Sequence, residues 1–322
     1  MKKASIILMI SAIIVALFSC NDDNSNTITN PDTTSSSKGN FVIEQGVASG
    51  EMAITNISHL IQLALDQEDV LHNNGATYPI ITKEKQSASQ TGDYPMVLTL
   101  DFGSDTSVCF DSRYRSGKIT ATITSNWKDS LSTIEADVQN YYMATHTPSF
   151  DSTTLAYEDI TECSSNMKLK IKYLGIRNGY ENELYPTQYI TTDSASISTK
   201  LGNVELTTTR YTYYKEGFGT LPYEDDKTIN TLYSNGTAID KKNNSWTWNS
   251  KNVTSSSEGL PYFAYNRSCY WLISGDIKLY YKNTSTQQEL THIINFGPSN
   301  QTSCNNNASY TSNGTSITIT LP

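Results

Sequence analysis

From Tyr94 to the C-terminus the chain keeps returning to a strict alternation of apolar and polar residues, and this constrains its fold more than any other feature. Met96, Leu98, Leu100 and Phe102 are interleaved with Val97, Thr99 and Asp101. Ile119, Ala121 and Ile123 alternate with threonines, and Ile134, Ala136 and Val138 with Glu135, Asp137 and Gln139. Met167, Leu169, Ile171 and Tyr173 alternate with Lys168, Lys170 and Lys172. Ile277, Leu279 and Tyr281 repeat the pattern, and Ile317, Ile319 and Leu321 end the chain with it. Successive strand side chains point to opposite faces, so each run has one dry face and one wet face. That is the signature of an antiparallel sheet with one side on a core; no alternation of strands with helices points to a parallel one. Asn178-Gly179, Asn235-Gly236 and Asn313-Gly314 supply the residue pairs that tight hairpins prefer. The fold expected is all-β, an antiparallel meander built as a curved sheet or a sandwich.

One segment has a different period. Between Glu51 and about His72, Ile54, Ile57, Leu60, Ile61, Leu65 and Leu71 fall at helical spacing, with Gly50 before them and Asn73-Asn74-Gly75 as a stop. This predicts one N-terminal amphipathic helix that lays an apolar face on the β domain. The expected layout is residues 41–93 as helix and connector and 94–322 as the β domain. An internal echo runs through the latter. Leu100-Asp101-Phe102-Gly103 leads by a polar loop to Cys109 and the strand after Gly117; Ile294-Asn295-Phe296-Gly297 leads by a similar loop to Cys304 and the strand after Thr315.

Upstream, Lys2 and Lys3 precede an apolar run from Ile6 to Phe18, too short to span a bilayer, which takes ~20 residues. Leu17-Phe18-Ser19-Cys20 resembles a lipobox, so residues 1–19 read as a lipoprotein signal peptide and Cys20 as the lipidated residue. Residues 20–40 are polar and aperiodic, the composition of a flexible tether. Within them Asn21-Asp22-Asp23-Asn24 resembles the signal that sends lipoproteins of the Bacteroidota to the cell surface. The localisation expected is an outer-membrane lipoprotein, surface-exposed or otherwise facing the periplasm. Its partners would be the membrane, through the anchor, and a glycan or another envelope protein. A formal net charge of −9 argues against nucleic acid, whose phosphates need a basic patch.

Four further cysteines, Cys109, Cys163, Cys269 and Cys304, allow two disulfides with three connectivities in an oxidising compartment. Cys269–Cys304 is the preferred pair because the two flank a hairpin; its loop would stabilise the fold by about 3–4 kcal/mol. Cys109–Cys163 follows by elimination. No cysteine spacing suits zinc, and no metal or cofactor is expected. Nor do nucleophile-elbow, P-loop, zincin or dinucleotide motifs occur. His59, His72, His146 and His292 are scattered. Asp101, Asp105 and Asp111 surround one loop, where carboxylates could hold calcium but more simply bond turn amides. Trp246 and Trp248 share one strand face, and Tyr211 and Tyr213 another. Such rows suit stacking on sugar rings, or pairing across strands within the sheet. Asp129-Ser130-Leu131 and Asp193-Ser194-Ala195 resemble O-glycosylation triplets of this bacterial group.

Taken together, Asp101-Phe102-Gly103, Asp111-Ser112-Arg113-Tyr114-Arg115-Ser116-Gly117-Lys118-Ile119, Tyr141-Tyr142, Trp271-Leu272-Ile273-Ser274-Gly275 and Asn295-Phe296-Gly297 before Cys304 resemble an uncharacterised lipoprotein family of the Bacteroidota. The resemblance implies the same architecture and carries no activity with it. The function expected is non-catalytic binding or interaction at the envelope surface. The alternatives are a carrier sheltering a lipid in a curved sheet and, behind it, an envelope hydrolase.

Overall fold

A computed structural model describes residues 41–72, 75–87, 89–144, 162–178, 183–214, 218, 229–250, 263–266, 275–282, 289–297, 307–312 and 315–320. Helix α1 (Val42–Asp66) and a single turn α2 (Glu68–Leu71) come first. Strands β1 (Ile80–Lys85), β2 (Met96–Asp101), β3 (Ser107–Val108), β4 (Tyr114–Ile123) and β5 (Thr133–Ala144) follow. The long strands β6 (Glu162–Asn178), β7 (Leu184–Thr199) and β8 (Gly202–Tyr214) come next. They lead to β9 (Ile229–Asp240), β10 (Ser245–Asn249), β11 (Phe263–Asn266), β12 (Asp276–Lys282), β13 (Glu289–Asn295), β14 (Asn307–Ser312) and β15 (Thr315–Thr320).

Among the described residues every strand lies in one antiparallel sheet, joined almost in chain order from β1 to β15; there β3 pairs only with β4 and β11 only with β9. No ladder joins β1 to β15 among the described residues, so the meander curves without closing. Each run that alternates in the sequence became a strand. In β2 the burial alternates residue by residue, and on β6 Met167, Leu169 and Ile171 face inward while Lys168 and Lys170 are exposed. The outward positions of β5 and β6 carry Glu135, Asp137, Lys168 and Lys170, a face suited to water. Within the segment 41–93 expected as helix and connector, β1 is already part of the sheet.

The helix departs from its expected form. It begins at Val42, nine residues before Glu51, and Ile43 to Ala64 are buried without interruption. A helix with one apolar face would leave the other in water. Here the sheet curves round α1, and contacts reach it from β4, β5, β7, β8, β9, β13 and β14. Gly46 and Gly50 look like breakers in the sequence because glycine costs a helix interior about 1 kcal/mol. A Cβ on Gly46 would lie 2.5 Å from Val204, and one on Gly50 2.5 Å from Leu206. The glycines let the helix backbone settle against β8.

Asn235-Gly236 is no turn. Both residues sit inside β9, where Gly236 faces Thr208 on one side and Trp248 on the other. A Cβ there would lie 1.9 Å from the Thr207 carbonyl oxygen and 2.9 Å from the Trp248 ring, so glycine serves close approach within the strand. Asn178-Gly179 and Asn313-Gly314 lie wholly or partly outside the described residues, although Ser312 and Thr315, which flank the latter, are paired.

The internal echo is real but differently built. Phe102 and Phe296 are both buried, and each donates its N–H to a glycine carbonyl, Gly117 within β4 at 2.9 Å and Gly275 just before β12 at 2.9 Å. Gly103 and Gly297 donate to the side-chain oxygens of Asp101 and Asn295, each at 2.9 Å. All four glycines have positive φ. The true counterpart of Ser116-Gly117-Lys118-Ile119 on β4 is therefore Ser274-Gly275-Asp276-Ile277, which leads into β12, and not the strand after Thr315. Among the described residues β15 pairs with β14 alone, whereas β13 meets β12. The β2–β4 and β12–β13 pairs have reversed order in the sheet, as a two-fold rotation normal to it would place them.

Candidate functional site

The side chains nominated from the sequence are placed very differently by the fold. Trp246 and Trp248 do share one face of β10, but it is the inner face, and they are 4% and 2% exposed. Trp246 packs 5.1 Å from Tyr281 and 4.6 Å from His292, measured between ring centres, and Trp248 lies over Gly236. Neither can stack on an external sugar ring, and that expectation is overturned: both rings stabilise the core. Period two tells which residues share a face without telling which face turns inward.

Cys109 and Cys163 are buried free thiols, so the pairing reached by elimination is not formed. Cys163 opposes Met143 on β5, which itself opposes Arg115 on β4, whereas Cys109 sits beyond the start of β4. A strand of sheet, spaced about 4.8 Å from each neighbour, stands between them, too wide for a disulfide. Cys269 and Cys304 lie outside the described residues, as do Cys20 and His146. Burial, with the Glu162 charge beside it, pushes the Cys163 thiol up to about 12.

Among the described residues no three His, Cys, Asp or Glu side chains gather as a metal site. Asp101 holds Gly103 and Lys118, and Asp111 holds Arg115, which is ordinary turn and ion-pair chemistry. Ser130 and Ser194 are both exposed, Ser194 in the bulge of β7.

Sequence reasoning missed the polar groups on α1. Glu44, Glu51, Thr55 and Gln62 recur at steps of seven, four and seven, a readable stripe on one side of a helix. The Glu51 carboxylate accepts from Thr208 at 2.9 Å and Ser234 at 2.9 Å, and Arg210 donates to Thr55 at 2.7 Å. Gln62 reaches Gln188 and Tyr214. Glu44 meets His292. On another side of the helix, Asn56 accepts from Tyr141 at 2.5 Å and from Arg115, whose guanidinium forms a two-pronged pair with Asp111 at 2.6 and 2.7 Å. These groups bind helix to sheet inside the molecule. Together with the apolar residues of α1 they take up the concave side, where a carried acyl chain would lie. A groove beside β1 has a mixed wall, with Lys83, Glu84, Lys85 and Asp93 beside Leu65, Tyr94 and Met96.

The outer face of β7 and β8 differs. Tyr214 and Gln188 point inward to Gln62, so Tyr213, Tyr211 and Tyr189 point outward. Tyr211 and Tyr213 lie parallel, ring centres 6.4 Å apart; Tyr189 lies 4.9 Å from Tyr211, and Tyr185 6.5 Å from Tyr213. All but Tyr185 are half-buried. Beside them, in register, run Thr191, Thr209 and Asn235. The face thus offers apolar ring surface bordered by hydroxyls and an amide.

No family model matches the chain, and no curated protein or solved structure is significantly similar to it.

Proposed function

We propose that this chain is a non-catalytic, lipid-anchored protein of the bacterial cell envelope that binds a glycan or another envelope component on the outer face of β7 and β8. The observation that carries this reading is the division of the molecule. Its concave interior is filled by α1 from Ile43 to Ala64, while four tyrosines gather on the convex side. Half-buried tyrosines provide large, rigid contact area at low entropic cost, and their hydroxyls orient polar ligands. The lipid anchor at Cys20 would concentrate this surface at a membrane.

Two experiments test the reading. Labelled palmitate should enter the full-length chain in cells and be absent from Cys20→Ala. In detergent, the full-length chain should be retarded in native gels containing polysaccharide, and Tyr211→Ala/Tyr213→Ala should lose at least about 1.4 kcal/mol of that binding, tenfold in affinity. Unchanged retention in the tyrosine variant, with its circular dichroism intact, would sink the assignment of this face.

A further inference from the structure

The ligand chemistry of this face can be narrowed by the cations beside it, on the assumption that the tyrosine face is indeed the binding surface. Along the outer side of β6 run Lys168, Lys170 and Lys172, and beyond a bulge comes Arg177. Lys170 is neutralised by Glu135 at 2.6 Å, and Lys168 stands opposite Asp137. Lys172 and Arg177 have no carboxylate partner among the described residues. Each lies directly opposite a ring of the strip, Lys172 opposite Tyr189 and Arg177 opposite Tyr185. Tyr189 in turn opposes Tyr211. The row is therefore cation, ring, ring, running across three strands spaced about 4.8 Å apart. Two acids border the row: Glu135, held by Lys170, and Glu183, which accepts the Tyr185 hydroxyl.

We infer that this face takes an acidic polysaccharide, one whose sugar rings carry carboxylates. The tyrosine rings cover the apolar faces of the sugars, Thr191, Thr209 and Asn235 meet their hydroxyls, and Lys172 and Arg177 meet the carboxylates. Arginine suits a planar carboxylate because its fork can donate two parallel hydrogen bonds. Lys172 and Arg177, without a carboxylate partner among the described residues of a chain of net charge −9, favour a sparsely charged polymer over nucleic acid, which requires many phosphate contacts.

The test uses the full-length chain in detergent, run through native gels containing polygalacturonate, neutral hydroxyethyl cellulose or single-stranded DNA. The expected result is retardation by polygalacturonate, weakened about tenfold in Lys172→Gln/Arg177→Gln and fading toward about 1 M salt, where the screening length is about 3 Å. Retention that the charge variant leaves unchanged would overturn the inference, as would equal retention by DNA or none by polygalacturonate. Tyrosine-dependent retention by the neutral polymer alone would also overturn it while preserving the binding face. Retention by polygalacturonate that survives Tyr211→Ala/Tyr213→Ala would instead remove the face itself.

Discussion

Arg115 is fully buried, and the helix, the sheet and a loop all meet on its guanidinium. Burial alone would raise the Asp111 pKa, but the Arg115 charge and its hydrogen bonds override this and hold it at about 2. A carboxylate whose folded pKa lies below its unfolded value stabilises the fold above the unfolded value and stops doing so as pH falls through the folded one. Asp111 should therefore contribute about 2 kcal/mol that is lost between about pH 4 and pH 2. Denaturant titrations at several pH values should show this acid loss in the wild type and its reduction in Asp111→Asn. At neutral pH that variant leaves Arg115 buried without its counter-charge, and should cost about 3–5 kcal/mol. At the thiols, burial raises the pKa of both Cys109 and Cys163. Alkylation with iodoacetamide at pH 8, mapped by mass spectrometry, should leave both unmodified in the native protein and modify both after unfolding. Recovery of a Cys109–Cys163 disulfide would contradict the geometry described above.

The elements repeat the lesson of glycine in two settings. In an exposed helix, Gly→Ala stabilises by about 1 kcal/mol, because glycine is the more flexible in the unfolded chain. For α1 the sign should reverse at Gly46, where the added methyl would meet the branch-point carbon of Val204 at 2.7 Å. At Gly50 the clash is with the tip of Leu206, which can turn aside, so Gly50→Ala should be tolerated better. Thermal melts of the two variants rank them directly. Gly236→Ala, pressed against the Thr207 carbonyl, should be the worst of the three, costing more than about 3 kcal/mol. The helix was legible from Ile54 to Leu65, where apolar residues keep helical spacing. Its first turns were not, because Glu44, Gln45, Gly46 and Ser49 look solvated until the sheet encloses them. Strands behaved likewise. β2, β4, β5 and β6 announced themselves by alternation. β9 hid behind its Asn-Gly pair, and β8, a run of threonines and tyrosines, gives little apolar contrast between its faces.

At the scale of the whole molecule, α1 is the object the sheet folds around. Its 25 residues make a rod of about 37 Å. Partners as distant in sequence as Ser234, His292 and Tyr310 depend on it for their interior contacts. Excising residues 42–66 should accordingly leave no folded sheet, seen as loss of near-ultraviolet circular dichroism and of dispersed amide resonances. Tyr211→Ala/Tyr213→Ala, on the convex side, should keep both signals. The paired Phe-Gly motifs add a second global feature: β2–β4 near one end of the sheet and β12–β13 near the other carry the same glycine-carbonyl exchange. Only the strand order made this visible, because the matching segments follow in one case and precede in the other.

Local rules determined that this chain alternates, that its strands pair antiparallel in nearly sequential order, and that one helix precedes them. Those properties depend on neighbours a few residues apart, and the sequence carries them directly. Which face of β10 turns inward, whether Cys109 meets Cys163, and whether polar residues on the helix meet water or the sheet were decided by contacts between remote segments. Curvature of the sheet round α1 settled them, because a surrounded helix has no wet side and a polar group there is kept only if a strand brings it a partner.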